Sequence, residues 1–439
     1  MNDLFDKLSK NDLAWNQLFN DLRILKKIKN DGEFEINSTQ INPIRESRLM
    51  TKFDTSESRP AVFKDNNLAI LPIARGKYLI SKYIAYKKFP RKTYNFSLKN
   101  PISLREIPDF VTSLSFDNIK SEAAALNAAY ISGMIHDFLD DDTAIPTTSG
   151  RMGSGTFNFS IDRYKMNPID VNVQKSQMEI DGGFEGVDTL ALVEAKNIIS
   201  SDFLVRQLYY PYRFWNRKIS KPIRSIYQVY SNGIFHFYEY GFKTERNYSS
   251  IKLKKYKRYR FKDKRISMQD ISDVFEKASP KNITTYSFPQ ADKFERVISL
   301  CELLKNENGA FQDDITDEFE FDRRQTSYYA DAGIFLGLIS KFQNEYKVRY
   351  RLTSKGSKIF GKNYFSRQLD LVNLILSHAI FHKSIKLYFE NGKPPSKADI
   401  VRIMKEFGLK DVKADSTFAR RASTVNGWIN WILSVSDDI

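Results

Sequence analysis

The segment at 189–197, TLALVEAKN, constrains the fold of this chain more than any other. Successive side chains of an extended strand point to opposite faces of its sheet, so this segment is apolar on both faces until Glu194 and Lys196. A strand of that kind belongs inside a sheet that is covered on both sides. The segment therefore predicts a mixed α and β domain with this strand inside it.

Neighbouring patterns supply further elements of that domain. Strands are predicted over 171–182, 225–231 and 234–242, and the last two form a hairpin that turns at Asn232-Gly233. A helix is predicted over 201–217. Strands mixed with a helix over this length indicate a compact α/β domain.

Two helices are predicted upstream. Leucines at helical spacing predict a helix over 11–28, with Asn11 as a possible cap. An alanine-rich run without a helix breaker before Gly133 predicts a second helix over 117–139. Between them the pattern is strand-like and irregular, which indicates a small N-terminal α/β domain.

The pattern changes to helices beyond about residue 265. Three consecutive helices are predicted, over 290–306, 312–319 and 322–339. The segment 348–360 then alternates like a strand and turns at Lys355-Gly356, as a wing would. Three helices and a wing indicate a winged-helix domain.

The remaining residues repeat the helical theme, with helices predicted over 396–407 and 416–433 that could form a second unit of helix-turn-helix type. A length of 439 residues suits two to four domains. The expected fold is α+β and multidomain, with domains at 1–100, 101–265, 286–362 and 363–439.

Composition excludes several classes of protein. The single cysteine, Cys301, permits no intramolecular disulfide, and four histidines leave a structural zinc site almost without its usual ligands. The first ten residues alternate in charge, and no segment approaches eighteen apolar residues. We therefore expect a cytoplasmic protein that spans no membrane.

Positive charge is concentrated in one seventh of the chain. The net charge is +15, and the stretch 206–265 contains seventeen Lys or Arg against three acids, interleaved with aromatic rings. Cations mixed with flat rings are typical of surfaces that grip phosphates, although an ordinary solvated basic face is the alternative. The expected DNA contacts in this stretch are Lys254, Lys255, Lys257 and Arg258.

The candidate chemistry lies at the ends of two strand-like segments. Asp181 is near the end of the first, and Glu194 with Lys196 is near the end of the second. Burying these charges is costly, and a divalent cation would compensate. Asp181, Glu194 and the Ala195 carbonyl offer hard oxygen ligands for Mg²⁺, while Lys196 could orient or deprotonate an attacking water. The plain alternative is an edge-strand Glu/Lys pair beside a turn aspartate.

Two other acids compete with Asp181 for the first metal position. Glu179 precedes it by two residues, and Asp188 begins the Glu-x-Lys strand. We rank Asp181 first, Glu179 second and Asp188 third.

An acid followed by a strand that ends in Glu-x-Lys resembles the PD-(D/E)XK nuclease motif, with Ile180-Asp181 where the family has Pro-Asp. Five segments in order resemble type II restriction endonucleases: RLMTKFD (48–54), SGRMGSGTFNFSI (149–161), EIDGGFEG (179–186), VEAKN (193–197) and STFARRASTVNGWINWI (416–432). The resemblance implies a central α/β/α nuclease core at 101–265 with C-terminal winged-helix and helix-turn-helix domains.

The same resemblance implies roles for residues. Asp181 and Glu194 would bind the metal, and Lys196 would be the catalytic lysine. Many members add an acid on the helix before the sheet, for which Glu122 is the candidate, with a solvent-facing helix glutamate as the alternative. Gln207 lies where some relatives place a glutamine, but their Gln-x-x-x-Tyr spacing is not met, so we do not assign it a catalytic role.

Two helix beginnings could read or grip DNA. The helix at 322–339 opens with polar side chains suited to base edges and phosphates: Arg323, Arg324, Gln325, Thr326, Ser327 and Tyr328. The last helix carries Arg420 and Arg421 ahead of its apolar residues. In both places a solvated face in a structural domain is the plain alternative.

These features together predict a Mg²⁺-dependent type II restriction endonuclease that cuts double-stranded DNA at a short specific sequence. Cutting both strands calls for two active sites or two attacks, so a homodimer on DNA is expected. Such a nuclease would also need a cognate DNA methyltransferase. The alternatives are a DNA-binding regulator with an inactive nuclease-like domain and a nuclease of repair or recombination.

Overall fold

The computed structural model describes residues 9–90, 99–108, 110–114, 119–262, 265–282, 287–319, 321, 323–344, 347–409, 414–436 and 438. The first two residues of the predicted helix at 117–139, the first residue of that at 322–339, and residues 263–264 of the basic stretch lie outside these ranges. Helices and sheets are both abundant in the described residues, which confirms the prediction of a mixed α and β chain. None of the described helices is long and apolar enough to cross a membrane.

The helices are α1 (Lys10–Asp21), α2 (Ile24–Asp31), α3 (Ser38–Ile41), α4 (Ser47–Met50), α5 (Ala61–Asp65), α6 (Glu122–Ile131), α7 (Met134–Leu139), α8 (Arg206–Trp215), α9 (Met268–Lys277), α10 (Phe294–Asn306), α11 (Gln312–Glu318), α12 (Arg323–Phe335), α13 (Ser354–Phe360), α14 (Tyr364–Leu376), α15 (Ala379–Asn391), α16 (Lys397–Phe407) and α17 (Asp415–Ser434).

The strands are β1 (Glu33–Asn37), β2 (Ala69–Ala74), β3 (Lys77–Ser81), β4 (Tyr86–Lys88), β5 (Ile102–Arg105), β6 (Ile145–Gly153), β7 (Thr156–Arg163), β8 (Met166–Gln174), β9 (Gln177–Glu185), β10 (Leu190–Lys196), β11 (Asp202–Leu204), β12 (Ile223–Ser231), β13 (Ile234–Phe242), β14 (Ile251–Phe261), β15 (Ala310–Phe311), β16 (Ile339–Asn344) and β17 (Lys347–Leu352).

The chain divides into two compact units. The first comprises Met1–Pro90, Ser121–Tyr230 and Phe235–Lys257, and the second comprises Arg91–Lys120, Ser231–Ile234 and Arg258–Ile439, in each case within the described residues.

The first unit contains two large sheets. One has the strand order β1-β3-β2-β8-β7, and the other runs β14-β13-β12-β10-β9-β6 within this unit. Strand β10 pairs in parallel with β12 and antiparallel with β9. It is buried along its length except at Lys196, as an interior strand with two apolar faces should be.

Helices cover β10 on both faces. Leu126 of α6 lies against Gly182, which is directly opposite Val193 of β10. Leu190 and Leu192, on the alternate face, pack in a cluster with Trp215 of α8. The ends of α6, β10 and α8 therefore surround the Glu-x-Lys sequence.

Several predicted elements are broken where one residue takes a left-handed conformation. The helix predicted over 11–28 is two helices separated at Arg23, whose φ is 50°, and its cap is Ser9 rather than Asn11. The helix predicted over 117–139 divides at Gly133, with a φ of 73°. The strand predicted over 171–182 is two strands that turn at Lys175, with a φ of 52°. A hydrophobic pattern continues across such positions, so the pattern alone does not reveal the break.

The hairpin predicted at 225–242 is confirmed as β12 and β13. Asn232 and Gly233 both have positive φ, 53° and 74°, which is the conformation of a type I′ turn. The helix predicted over 201–217 begins later, at Arg206, because residues 202–204 form the short strand β11.

In the second unit, α10, β15, α11, α12, β16 and β17 follow one another, and the three strands form a sheet of order β15-β17-β16. The prediction of one helix over 322–339 is wrong at its end. Gly337, with a φ of 70°, closes α12 because Leu338 N–H donates to the Gly333 carbonyl, and a strand begins at Ile339.

The strand predicted to continue to residue 360 is also wrong. Residues 354–360 form α13, and the Thr353 side chain caps it by accepting from the Gly356 N–H. Lys355-Gly356 is therefore the first turn of a helix and not the turn of a wing. The later helices are confirmed as α16 and α17, and buried Trp428 anchors α17 by donating to the Ala291 carbonyl at 2.7 Å.

Candidate active site

Asp181, Glu194 and Lys196 converge at one end of the β9–β10 hairpin. The Ala195 N–H donates to Asp181 Oδ2 at 2.7 Å, which ties the aspartate to the neighbouring strand. Lys196 Nζ donates to Glu194 Oε1 at 2.7 Å. The structure therefore brings the three residues of the Asp…Glu-x-Lys pattern together.

A β-bulge in β9 lies at Asp181 and Gly182. Between Thr148 and Gly150 of β6 there is one residue, whereas between their partners Gly183 and Ile180 of β9 there are two, Asp181 and Gly182. The additional residue changes the side to which a strand residue points, and bulges are common beside active sites for this reason.

Glu122 joins the cluster from the first turn of α6. Its Oε1 lies 3.6 Å from Lys196 Nζ. Ser121 is the N-cap of this helix, and its side chain accepts from the Ala124 N–H. A carboxylate in the first turn interacts favourably with the helix dipole. The structure thus places the predicted helix acid beside the lysine.

Gln207 was assigned no catalytic role from the sequence, but the structure brings it to the site. From the first turn of α8, its Nε2 donates to Glu194 Oε1 at 2.6 Å. Its own Oε1 is buried without a partner. Its position on the helix that follows the Glu-x-Lys strand could have indicated this contact. The sequence lacks the Gln-x-x-x-Tyr spacing, which argued against it.

Burial dominates the electrostatics of the acids. It raises the pKa of Glu194, which is 8% exposed, to about 8, against the opposing pull of the Lys196 ammonium. It also raises the pKa of Asp181 and of Glu122. Glu194 is the buried member of this group of carboxylates, while Asp181 and Glu122 are only partly buried.

Burial has the opposite effect on the lysine, although its pKa is also raised. Burial by itself would lower the pKa of Lys196, but the carboxylates of Glu194, Asp54 and Glu122 outweigh that effect and raise it well above its ordinary value. Lys196 is therefore an ammonium ion at neutral pH.

Asp54 is a further acid that the sequence analysis did not single out. It is buried, and its charge raises the pKa of Glu122, Asp181 and Glu194 as well as that of Lys196. Its carbonyl accepts from the Leu204 N–H at 2.8 Å, just before α8. It lies in the RLMTKFD segment, far from β10 in the chain, so only tertiary structure reveals its proximity.

The two competing acids are exposed. Glu179 pairs with Arg151 at 3.3 Å, and Asp188 lies in the turn between β9 and β10. That turn is at the opposite end of the hairpin from Glu194.

A metal at this site would be held mainly by oxygen atoms of Asp181 and Glu194. Within the described ranges, no group of three His, Cys, Asp or Glu side chains is arranged to hold an ion. The Ala195 N–H points toward Asp181, and the N–H and C=O of one strand residue point to the same side, so its carbonyl is on the Asp181 side too. Two carboxylates and a carbonyl are a donor set that suits Mg²⁺, which keeps several of its waters.

The basic stretch is less open than its composition predicts. Lys254 is exposed. Lys255 pairs with Asp140, and Lys257 pairs with Asp137. Arg258 is buried and donates to the Asn100 carbonyl at 2.7 Å, so it does not face solvent as a phosphate contact would.

Lys243 and Lys252 of this stretch lie close to each other, with Lys87 nearby. A hydrogen bond from Lys243 and its charge lower the pKa of exposed Lys252, and Lys87 adds to the effect. Cations crowded in this way favour binding of an anion.

The polar beginning of α12 is only partly available to a ligand. Arg324 is exposed, and Tyr328 accepts a hydrogen bond from it. Thr326 is fully buried and its hydroxyl bonds that of Thr316 at 2.8 Å, so its side chain packs inside the unit.

The other predicted contacts of α12 are half-buried. Gln325 and Arg323 belong to this group, and the Arg323 guanidinium lies 3.9 Å from Asp313. Ser327 accepts from Gln312 at 2.8 Å.

The two arginines of α17 differ. Arg420 is exposed, whereas Arg421 is half-buried. Burial lowers the pKa of Arg421, while Tyr328 and Asp331 of α12 oppose this. The beginnings of α12 and α17 are therefore close enough to interact through their charges.

Three family models match the chain, and each is described only as a domain of unknown function. They are Domain of unknown function (DUF6996) at residues 12–80, Domain of unknown function (DUF6997) at 81–260, and Domain of unknown function (DUF7226) at 296–437. The second match includes all of Glu122, Asp181, Glu194 and Lys196. No curated protein and no solved structure matches the chain.

Proposed function

We propose that this chain is a Mg²⁺-dependent endonuclease of the PD-(D/E)XK type that hydrolyses phosphodiester bonds of double-stranded DNA at a short specific sequence. The observation that carries the proposal is the convergence of Asp181, Glu194 and Lys196 at the end of β10. A structural ion pair would need only Glu194 and Lys196. Asp54, Glu122, Asp181 and Glu194 instead gather around the lysine, and acids crowded in this way at some cost to stability are typical of a cation-binding site.

The residues fit a magnesium ion. Asp181 and Glu194 would hold it, with the Ala195 carbonyl as a third oxygen. When bound, the ion would lower the pKa of a coordinated water and neutralise charge on the attacked phosphate.

The chain's own residues have separate tasks. The Lys196 ammonium donates hydrogen bonds and balances negative charge that develops on the phosphate oxygens. Gln207 holds Glu194 through its amide, which fixes the rotamer of that carboxylate. Glu122 positions the ammonium from the side of α6.

Features of both units support the finer fold assignments. Helices on both faces of β10 are what an α/β/α nuclease core requires. The order α10, β15, α11, α12, β16, β17 is helix, strand, helix, helix and two strands, which is the order of a winged-helix domain. In such a domain α12 would be the recognition helix.

The proposal includes partners. Two cuts in opposite strands call for two sites, so we propose a homodimer on DNA and a cognate DNA methyltransferase in the same cell. We propose that the exposed Arg324 and Arg420, and the cluster of Lys87, Lys243 and Lys252, contact phosphates.

The test is incubation of the purified chain with phage DNA and Mg²⁺. A restriction enzyme yields discrete fragments with common termini, and chelation by EDTA abolishes them. Lys196→Ala and Asp181→Ala should each reduce cleavage at least about a hundredfold while DNA binding is retained.

Asp188→Asn is the matched control, because it removes an acid from the same hairpin at the exposed turn. Its cleavage rate should be unchanged. Near-normal turnover in Lys196→Ala would refute the assignment of this site.

The same assay separates the alternatives. A uniform shift of DNA without any cleavage would favour a DNA-binding regulator. Cutting only at junctions or ends would favour a nuclease of repair or recombination.

A further inference from the structure

The three-stranded sheet of the second unit has an exposed face on which aromatic and basic side chains alternate. Arg349 of β17 is directly opposite Phe311 of β15 on one side and Phe342 of β16 on the other. Lys347 and Arg351 flank it on the same face of β17, because side chains alternate along a strand.

Both rings are open to solvent, Phe311 at 39% and Phe342 at 41%. The Arg351 guanidinium lies 3.9 Å from the centre of the Phe342 ring. The charged groups of Lys347 and Arg349 lie 5.6 and 5.5 Å from the centre of the Phe311 ring. A single exposed apolar side chain is ordinary, whereas here two exposed rings share one face with three cations.

The charge of this sheet indicates what kind of ligand it binds. The strands β15, β16 and β17 contain Lys341, Lys347, Arg349 and Arg351 and no acidic residue. A surface of cations interleaved with flat rings fits a polyanion that also offers flat rings, which is the chemistry of a nucleic acid.

We propose that this face, formed by Phe311, Phe342, Lys347, Arg349 and Arg351, binds a single-stranded segment of nucleic acid. The cations contact phosphates, and the phenylalanine rings and guanidinium planes stack on bases. Stacking requires a base whose faces are not already covered, and duplex bases are covered by their neighbours. The rings stand on the two strands either side of β17, about 10 Å apart, so they serve separate nucleotides.

This surface is distinct from the predicted DNA contacts of α12 and α17, and it does not depend on the nuclease proposal. Binding can be measured in EDTA, where no Mg²⁺-dependent cleavage occurs.

The experiment is fluorescence anisotropy of the full chain with a labelled oligo-dT of about twenty nucleotides and with a duplex of equal length. Phe311→Ala and Phe342→Ala should each weaken binding to the single strand about tenfold, and the double variant about a hundredfold. Binding to the duplex should weaken less than about threefold.

Phe110→Ala is the matched control, since Phe110 belongs to the same unit and is 85% exposed. It should leave binding unchanged. Phe342→Tyr keeps the ring and should retain affinity, which distinguishes lost stacking from a misfolded variant. Arg349→Lys keeps the charge and loses the plane, so it should show an intermediate loss.

Three results would overturn the proposal. Equal weakening for single strand and duplex would indicate binding to a duplex backbone. Unchanged affinity for the single strand in the double variant would remove the rings from any interface. If a polyglutamate peptide displaced the labelled strand as effectively as unlabelled oligo-dT does, the face would be a site for an acidic protein.

Discussion

Replacing Glu194 with glutamine should stabilise the protein when divalent ions are absent. Glutamine has the same shape and no charge, and Glu194 is a carboxylate whose pKa burial raises from 4.5 to about 8. A folded state that binds a proton more tightly than the unfolded state loses stability as pH rises between those two values. The substitution removes that loss.

The magnitude follows from the pH. Each unit above 4.5 costs about 1.4 kcal/mol up to the folded pKa, so the cost is below about 1 kcal/mol at pH 5 and about 3 kcal/mol at pH 7. Lys196 loses one of its carboxylate partners in the variant, which offsets part of the gain. We therefore expect a net stabilisation of about 1–2 kcal/mol at pH 7 and almost none at pH 5.

Urea unfolding in EDTA at pH 5, 7 and 8, monitored by far-UV circular dichroism, measures the free energy of unfolding of the variant and of the natural chain. Hydrogen exchange of residues 177–196 locates the change to the β9–β10 hairpin. Asp188→Asn, in the exposed turn, should stay within about 0.5 kcal/mol of the natural chain at each pH. A destabilised Glu194→Gln variant, or a gain that does not grow with pH, would refute the reasoning.

Three more outcomes are expected. Because the carboxylates must be ionised to hold a cation, the cleavage rate at fixed Mg²⁺ should rise up to tenfold per pH unit below about 8 and level off above it, and more Mg²⁺ should shift that profile to lower pH. Gln207→Leu should slow cleavage about tenfold, because Glu194 loses the amide that holds it. The variant should keep its stability, because the leucine also removes a buried oxygen that has no partner, and a loss of stability as large as the loss of cleavage would contradict this role. Replacing both Lys243 and Lys252 with glutamine should lower the slope of log affinity against log salt by about 2, whereas Lys255→Gln should change it by less than 1 because Asp140 already pairs with that lysine.

Local sequence patterns were sufficient to predict the interior strand and whether most segments form helices or strands. The two apolar faces of 189–197 correctly predicted a buried strand, since a strand can hide two faces only inside a covered sheet. Asn232-Gly233 correctly predicted the hairpin, because that dipeptide accepts the positive φ that a type I′ turn demands.

Several of the errors in the fold share one cause. Arg23, Lys175 and Gly337 each end an element by adopting a positive φ, while the hydrophobic pattern continues through them. Such a conformation costs little at glycine and more at other residues, so it is adopted where packing of the flanking segments repays it. That balance depends on contacts that are distant in the chain.

The exposed charge of the stretch 206–265 also depends on contacts that are distant in the chain. The stretch 206–265 looked almost uniformly basic because its acids were counted within the stretch, whereas Asp137 and Asp140, which pair with Lys257 and Lys255, come from outside it. Counting along the chain cannot predict pairing across space.

The amino-acid sequence alone determined which residues have chemistry to offer, Asp181, Glu194 and Lys196, because their types and their places near strand ends are local properties. Only tertiary structure decided what surrounds them. The bulge beside Asp181 forms against the separate strand β6, and the amide of Gln207 and the buried charge of Asp54 come from other parts of the chain. Their effect on pKa depends on distance and burial, which exist only once the chain has folded.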